Sequence, residues 1–359
     1  MEIKALNQIT GYSALKGHLT FDLEDDIDEF SRLARKKELK NIIIDFQMMD
    51  HMNSDAVMAL VKLSKYVRRE KINLFEYGLS REYREIFVLT GLHHNLVSLT
   101  DKGNYHDFIS DSDFRKLRIT SWKTGNQDIF GWAKNITRLK VTEKPEGAMN
   151  KNVNNRRVIG PLQGFGPLWE KQYLLNVNTT TAKPSEIITV LKQHFPEFQP
   201  PINRFYPLKQ GITPGAIVLI DSRTPGGIVS TGVLVLYADD TSFSLMTPQG
   251  HPEAGWVTFT AKQKKQSVEV KIRGVASASD PFYEMAFRVA GSKLQERIWT
   301  HVLSSLASHL EVEDNVKKEK NVIDSKLNWS NAVNLWYNAQ IRSLPYNITH
   351  LVRKKQENV

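Results

Sequence analysis

The apolar positions of the first hundred residues switch period repeatedly, between the two of a strand and the three to four of a helix. Residues 2–21 alternate loosely around turn residues Gly11 and Gly17 and predict two short strands. Ile27, Phe30, Leu33 and Ala34 follow helical spacing, with Asp25, Asp26 and Asp28 in front and Arg35-Lys36-Lys37 behind, the charge order that complements a helix dipole. Ile42, Ile43 and Ile44 form a β-branched run ending in Asp45, as in a strand covered on both faces. From Ala56 the pattern becomes Val57, Leu60, Val61 and Val67, an amphipathic helix. Asn53, Ser54 and Asp55 precede it, and each carries an oxygen able to cap a first turn. Residues 72–77 predict a strand ended by Gly78. Ser80 caps a helix over 81–90 closed by Gly91, and 96–99 predict a last short strand. The sum is an α/β fold, a small sheet with helices packed on it.

Beyond residue 103 the pattern weakens. Phe108, Phe114 and Leu117 suit a closing helix, and Trp122, Phe130 and Trp132 suit packing positions in a connecting segment. Residues 143–157 are rich in Lys, Asn, Glu and Arg and read as a solvated linker. Strand character returns at 169–178, followed by a short helix opened by Pro184. A proline- and aromatic-rich turn region covers 196–207. Strands are then predicted at 216–221, 232–238, 242–247, 255–263 and 267–276, with Val268, Val270 and Ile272 in clear alternation. Pro281 opens a long helix whose stripe is Phe287, Ala290, Leu294, Ile298, Val302 and Leu306. A curved antiparallel sheet closed by one long helix is an α+β, helix-grip outline. The expected divisions are 1–117, a connecting segment at 118–159, a second domain at 160–311 and a basic, amphipathic extension at 312–359.

At 359 residues, two domains are the natural expectation. With 41% hydrophobic and 24% charged residues the chain has a globular composition. It has no cysteine, which excludes disulfides, thiolate metal sites and cysteine nucleophiles. No apolar run reaches the roughly 20 residues of a membrane span, and the first residues lack a signal-peptide core, so a cytoplasmic location is expected. The net charge of +9 comes from short basic clusters far apart, without zinc-finger or helix-turn-helix spacing, and implies a solvated basic surface rather than a nucleic-acid site.

Two resemblances emerge from particular residues. Asp45, the turn Asn53-Ser54-Asp55-Ala56 and the segment Glu85-Ile-Phe-Val-Leu89-Thr90-Gly91-Leu92 resemble the STAS domain of bacterial anti-sigma factor antagonists over residues 1–115. That resemblance implies a partner-binding surface at Asn53, Ser54, Asp55 and Ala56. It also implies a phosphorylation site at Ser54 and an anti-sigma factor or serine kinase as partner. Where the family has Asp, Ser/Thr and Gly, this chain has Asn53, Asp55 and Ala56, and a phosphate beside Asp55 would meet like charge. On residue types alone, Ser54 reads first as a helix cap.

Asn203-Arg-Phe-Tyr-Pro, Gly232-Val-Leu-Val-Leu-Tyr-Ala-Asp-Asp, Thr247-Pro-Gln-Gly-His-Pro-Glu-Ala-Gly-Trp256 and Glu296-Arg-Ile-Trp299 resemble bacterial domains of the START-like (SRPBCC) superfamily over residues 160–350. The resemblance implies an apolar-ligand cavity between sheet and helix, with Tyr206, His251, Glu253 and Trp256 as candidate lining residues.

Little else in the sequence carries chemistry. His251 and Glu253 could do acid–base work at a pocket mouth, but Pro252 and the flanking glycines favour a turn. His93-His94 are adjacent, and His301 and His309 lie on the long helix; neither pair has metal-ligand spacing. There is no phosphate-binding loop, dinucleotide fingerprint or nucleophile elbow, and no cofactor is expected. Residues 326–344 carry Leu327, Trp329, Val333, Leu335, Trp336, Tyr337 and Ile341 among polar residues. That face suits docking on the chain's own second domain or, with Arg353-Lys354-Lys355, contact with a membrane surface. The expectation is a non-enzymatic regulator with a partner-binding first domain and a ligand-sensing second domain. The alternative is a lipid carrier or enzyme that works through the second domain's cavity.

Overall fold

A computed structural model of the chain describes residues 4–20, 23–36, 38–99, 127–134, 136, 138–142, 144–149, 152–177, 182–206, 210–224 and 226–356. The chain divides into two compact units, residues 1–130 and 131–359. The positions Phe108, Phe114, Leu117 and Trp122 lie outside the described residues.

The first unit is built on a five-stranded sheet of β1 (Lys4–Ala5), β2 (Thr10–Leu19), β3 (Asn41–Met52), β4 (Asn73–Tyr77) and β5 (Val97–Ser98), in that order. β1 runs antiparallel to β2, and the later neighbours are parallel. Parallel pairing requires a crossover, and three helices supply it: α1 (Leu23–Lys36), α2 (Ser54–Arg69) and α3 (Arg81–Thr90). Ile42, Ile43 and Ile44 are wholly buried, as a central strand between helix layers demands. β3 is longer than its apolar run predicts. Beyond Asp45 it leaves β4 and continues to Met52 paired with β2, with register shifts at Ala14/Lys16 and Gly17/His18 and an isolated bridge from His51 to Asp128. Asp45 therefore lies inside the strand and not at its end. The polar residues Gln47, Asp50 and His51 conceal this ribbon because only one of its faces is covered.

The second unit is an eight-stranded antiparallel sheet. Its order is β13 (Lys317–Asp324), β6 (Leu168–Val177), β12 (Val268–Ala278), β11 (Glu253–Gln263), β10 (Ser242–Met246), β9 (Gly227–Ala238), β8 (Ile217–Thr224) and β7 (Asn203–Phe205). One face packs on α4 (Pro184–His194) and on a long helix made of α5 (Pro281–Ala286), a π-helical turn at Phe287–Gly291, and α6 (Ser292–His309). Much of this face is filled. Phe243 and Phe259 stack at 4.4 Å, and Phe195 meets Phe205, Phe243 and Phe259 edge-on at 5.1–5.6 Å.

The expected stripe along the long helix holds at its C-terminal end, where Val302 and Leu306 are fully buried, but Phe287, Leu294 and Ile298 are only partly covered. The π turn inserts an extra residue and puts Phe287 out of phase with α6. The cavity lined by Glu284, Phe287, Arg288 and Gln295 leaves this end of the long helix without the packed core that covers Val302 and Leu306.

Two edge strands were not legible. β7 has three residues within the proline-rich turn region. β13 is almost wholly exposed on both faces and so shows no apolar alternation; its lysines protect an open edge. The structure also differs from the expected divisions. The described residues between 131 and 159 include the buried anchors Trp132, Leu139, Ala148 and Val153 and lie on the sheet face opposite the long helix. Trp132 packs edge-on against Tyr237 at 5.0 Å, and Asn152 Nδ2 donates to Ser230 O at 3.0 Å. Phe130, by contrast, is exposed. Residues 312–356 are likewise part of the fold. β13 pairs with β6 over most of its length, and α7 (Ala339–Gln356) packs on β9. Composition marks these segments as polar because they attach through backbone and amide hydrogen bonds, not through apolar stripes.

Candidate functional site

In the first unit the β3–α2 junction is shaped by its own residues. Asn53, in extended conformation, is the cap of α2, and its side-chain oxygen accepts from Ala56 N at 3.0 Å. Ser54 is thus the first helical residue rather than the cap. Asn53, Ser54, Asp55 and Ala56 are all buried, Ser54 and Ala56 with no accessible surface at all. The whole first half of α2, through Val61, is buried around its circumference. Residues 127 and 128 reach the neighbouring strand ends. Gln127 donates to Phe46 O and Gly78 O and accepts from Ser80 N at 2.8–3.0 Å. The buried Tyr83 hydroxyl accepts from Met52 N at 2.7 Å and donates to Asp128 O at 2.6 Å, tying α3 to the end of β3. Asp45 accepts from the Tyr12 hydroxyl at 2.6 Å and from Gln47 N at 2.8 Å. Burial raises its carboxyl pKa, and both hydrogen bonds oppose that rise.

In the second unit a cavity of about 400 Å³ opens between the sheet and the long helix, at the end away from the stacked phenylalanines. Strand alternation builds its floor: Trp169 and Lys171 of β6, Glu253 of β11, and Gly274, Ala276 and Ala278 of β12 point to the helix side. Gly274 is decisive for the space, since a Cβ there would meet no atom within 4 Å. Glu284, Phe287 and Arg288 form the roof around the π turn, with Gln295 from α6, and Lys320 of β13 closes the edge.

The charges in this cavity are organised. Gln295 donates to Glu253 Oε2 at 2.7 Å and accepts from the Lys171 ammonium, so one amide joins acid and base. Burial raises the Glu253 pKa, partly offset by Lys171; burial lowers the Lys171 pKa, partly offset by Glu253. Arg288 pairs with Glu284 at 2.8 Å, and the Lys320 ammonium sits 3.9 Å from the centre of the Trp169 ring. Lys171, Arg288 and Lys320 outnumber Glu253 and Glu284, so the lining is amphipathic with a cationic excess.

Of the four expected lining residues, only Glu253 faces this cavity. His251 closes the turn before β11: its Nδ1 accepts from Glu253 N at 3.0 Å, and burial pushes its pKa down to about 4. Gly250 in that turn has φ 93°, and a Cβ there would lie 2.1 Å from Tyr337 O. Tyr206 lies at the far edge of the sheet, its hydroxyl within 2.6 Å of Asp221 Oδ2 and 2.8 Å of Gly147 O. Trp256 is buried on the opposite face of β11, and its indole N–H meets no acceptor among the described residues. Sequence reasoning missed Lys171, Gln295 and Lys320. Lys171 left a signal, as the one charged residue in the alternation Trp169, Lys171, Tyr173, Leu175, Val177. Gln295 and Lys320 left none, because their relevance depends on the π turn and on an edge strand. Among the described residues no group of three or more His, Asp and Glu side chains converges to hold a metal ion, and no helix is long and apolar enough to cross a membrane.

Residues 13–102 match the family model of the STAS domain, and the first unit carries that fold. Among solved structures, the chain is similar to the anti-sigma factor antagonist SpoIIAA in its unphosphorylated form (14% identity, 33% of this chain and 96% of that chain, TM-score 0.26). A START superfamily protein from Mycobacterium smegmatis is similar at 16% identity, over 40% of this chain and 97% of that one, with a TM-score of 0.29. The di-domain ARO/CYC StfQ from the steffimycin biosynthetic pathway is similar at 12% identity over 40% of this chain, with a TM-score of 0.32. The match spans about half of StfQ, 51% of its length. No curated protein sequence matches the chain.

Proposed function

We propose that the chain is a non-enzymatic regulator. Its STAS domain binds a protein partner of the anti-sigma factor or serine-kinase type, and its second unit senses a small amphipathic molecule. The partner half rests on the STAS match at 13–102, within which the turn Asn53-Ser54-Asp55-Ala56 opens α2. Burial of that turn adds a condition. A kinase needs the Ser54 hydroxyl in its own active site, so recognition of Ser54 requires the turn to be uncovered first. The cytoplasmic location expected from the sequence belongs to the same reading.

The observation that carries the ligand half is the cavity beside Gly274. Its floor is small and apolar at Gly274, Ala276 and Ala278 and charged at Lys171 and Glu253, with Arg288 in the roof and Lys320 at the edge. That lining suits a compact molecule with an apolar body and a polar, preferentially anionic, end. Beside the C-terminal half of the long helix the core is filled by stacked and edge-on phenylalanines.

Affinity capture of the full chain from native cells, with mass spectrometry of proteins and small molecules, tests both halves. The expected result is a kinase-type or anti-sigma-type partner, together with a bound small molecule released on denaturation. Absence of any kinase-type or anti-sigma-type partner would refute the first half; an empty cavity in the native mass spectrum would refute the second. A competing enzymatic reading is favoured by one feature, the Lys171–Gln295–Glu253 relay with its opposed pKa shifts in a cleft. It requires Glu253→Gln to abolish turnover of the captured molecule while leaving its binding intact. Under the sensing reading nothing is turned over.

A further inference from the structure

The segment from Trp329 to Ile348 is amphipathic in reverse. It attaches to the second unit through amides and a hydroxyl. Asn331 donates to Gly164 O at 2.9 Å, Asn334 to Gln163 O and Ser279 O at 3.0 Å, and Gln340 to Gly226 O at 2.7 Å. Asn338 donates to Asp280 Oδ2 at 2.9 Å, and Ser343 Oγ accepts from Ser230 N at 3.1 Å. The large apolar side chains face outward: Trp329 is 71% exposed, Trp336 79%, Val333 57% and Ile348 61%. On α7, Ile341, Leu344 and Ile348 repeat at helical spacing as one exposed stripe. A folded chain that hides its asparagines and shows its tryptophans has an outer surface built for something else.

Charge identifies the occupant. Between Ser325 and Gln356 there is no Asp or Glu, while Lys326, Arg342, Arg353, Lys354 and Lys355 are all cationic. We propose that this face binds the surface of an anionic lipid bilayer, with Trp329 and Trp336 at headgroup depth and the α7 stripe in the outer acyl region. Tryptophans at the interface and cations against anionic headgroups are the two contributions such binding requires, and the segment supplies both. A second copy of the chain is the poorer partner, because two acid-free segments would bring five cations against five with nothing to compensate them. The inference does not depend on the cavity or on the Ser54 turn.

The test is flotation of the full-length protein with vesicles of phosphatidylcholine alone and of phosphatidylcholine mixed with phosphatidylglycerol, at low and high salt. Binding is expected on the mixed vesicles, weakened by salt, and at least tenfold weaker on the neutral ones. Trp329→Ser with Trp336→Ser is expected to reduce it roughly tenfold or more, as loss of buried apolar area on the membrane implies. Neutralising Arg353, Lys354 and Lys355 to Gln should remove most of the salt dependence. All these positions lie on the exposed face or in the C-terminal basic run, so thermal melts report whether folding is intact. Absence of vesicle binding, equal binding to neutral and anionic vesicles, or full binding by the double tryptophan variant would overturn the proposal. So would sedimentation showing that the tryptophans instead hold two copies together.

Discussion

His251 should make the second unit sensitive to mild acid, and the size of the effect follows from its surroundings. Its Nδ1 accepts from Glu253 N in a closed turn, which requires the neutral ring, and burial pushes its pKa from 6.5 to about 4. In the unfolded chain the ring takes up a proton near 6.5; in the fold it resists until about 4. Between those values the unfolded state holds more protons, so stability falls as pH drops through the window and is complete above it. At about 1.4 kcal/mol per pH unit, the full effect is roughly 3 kcal/mol by pH 4. Glu253 and Asp280, whose carboxyl pKa values burial raises, act in the opposite sense by favouring the protonated fold. The measurement is therefore comparative: urea denaturation of the natural protein and of His251→Asn, whose carbonyl can still accept from Glu253 N, at steps from pH 7.5 to 4.5. The natural protein should lose stability relative to the variant on acidification, by about 2 kcal/mol at the lowest pH. A difference that stays flat across the series, or a His251 proton resonance titrating near 6.5, would refute the reasoning.

Three further outcomes follow from the geometry. Gly274→Leu puts a side chain into open space on the cavity floor, so it should leave thermal stability unchanged or slightly raised while reducing small-molecule binding more than tenfold, read by native mass spectrometry. Asn53→Ala removes the cap of α2 and should cost about 1 kcal/mol in denaturation, whereas Asn53→Ser should restore most of it. Arg273→Met leaves Glu170 without its buried partner at 2.6 Å and should destabilise by about 3–5 kcal/mol, with the Arg273→Met/Glu170→Leu pair recovering a large part in the same assay.

The elements legible in the sequence are those whose residues face one environment consistently. β3 and β12 and helices α1–α4 announce themselves because one face or both is apolar at a fixed period. Ser80 and Gly91 mark the ends of α3 through hydrogen bonding and a left-handed backbone, and the structure has both. What was hidden depends on partners distant in sequence. β13 becomes a strand because β6 offers an open edge, and nothing in Lys317-Lys-Glu-Lys declares that. Residues 131–159 read as linker because their anchors are few and scattered, yet Trp132, Leu139 and Val153 are almost wholly buried. At the candidate sites residue type did not give placement: Glu253 faces the cavity, His251 is the turn's acceptor, and Asn53 rather than Ser54 caps α2.

The cavity and the outward C-terminal face share a set of buried contacts, and those contacts bear on how a regulator of this design could work. Asp280 caps α5 by accepting from Tyr283 N at 2.9 Å, and the same side chain accepts from Asn338. The Tyr283 hydroxyl accepts from Gln340 N at 2.9 Å. The start of the long helix is therefore held by the segment that presents Trp336 and Ile341, and one turn further on that helix becomes the π turn carrying Phe287 and Arg288 into the cavity roof. A π turn holds one residue more than an α turn, and such turns recur at functional sites. An occupant of the cavity that shifted Phe287 or Arg288 would act, through Asp280 and Tyr283, on the seating of the C-terminal segment. By linkage, whatever binds that segment's outer face must alter affinity in the cavity by the same factor. Ligand affinity measured with and without anionic vesicles would then differ, and the difference should vanish in Asn338→Ala, where the buried bond between the two elements is gone.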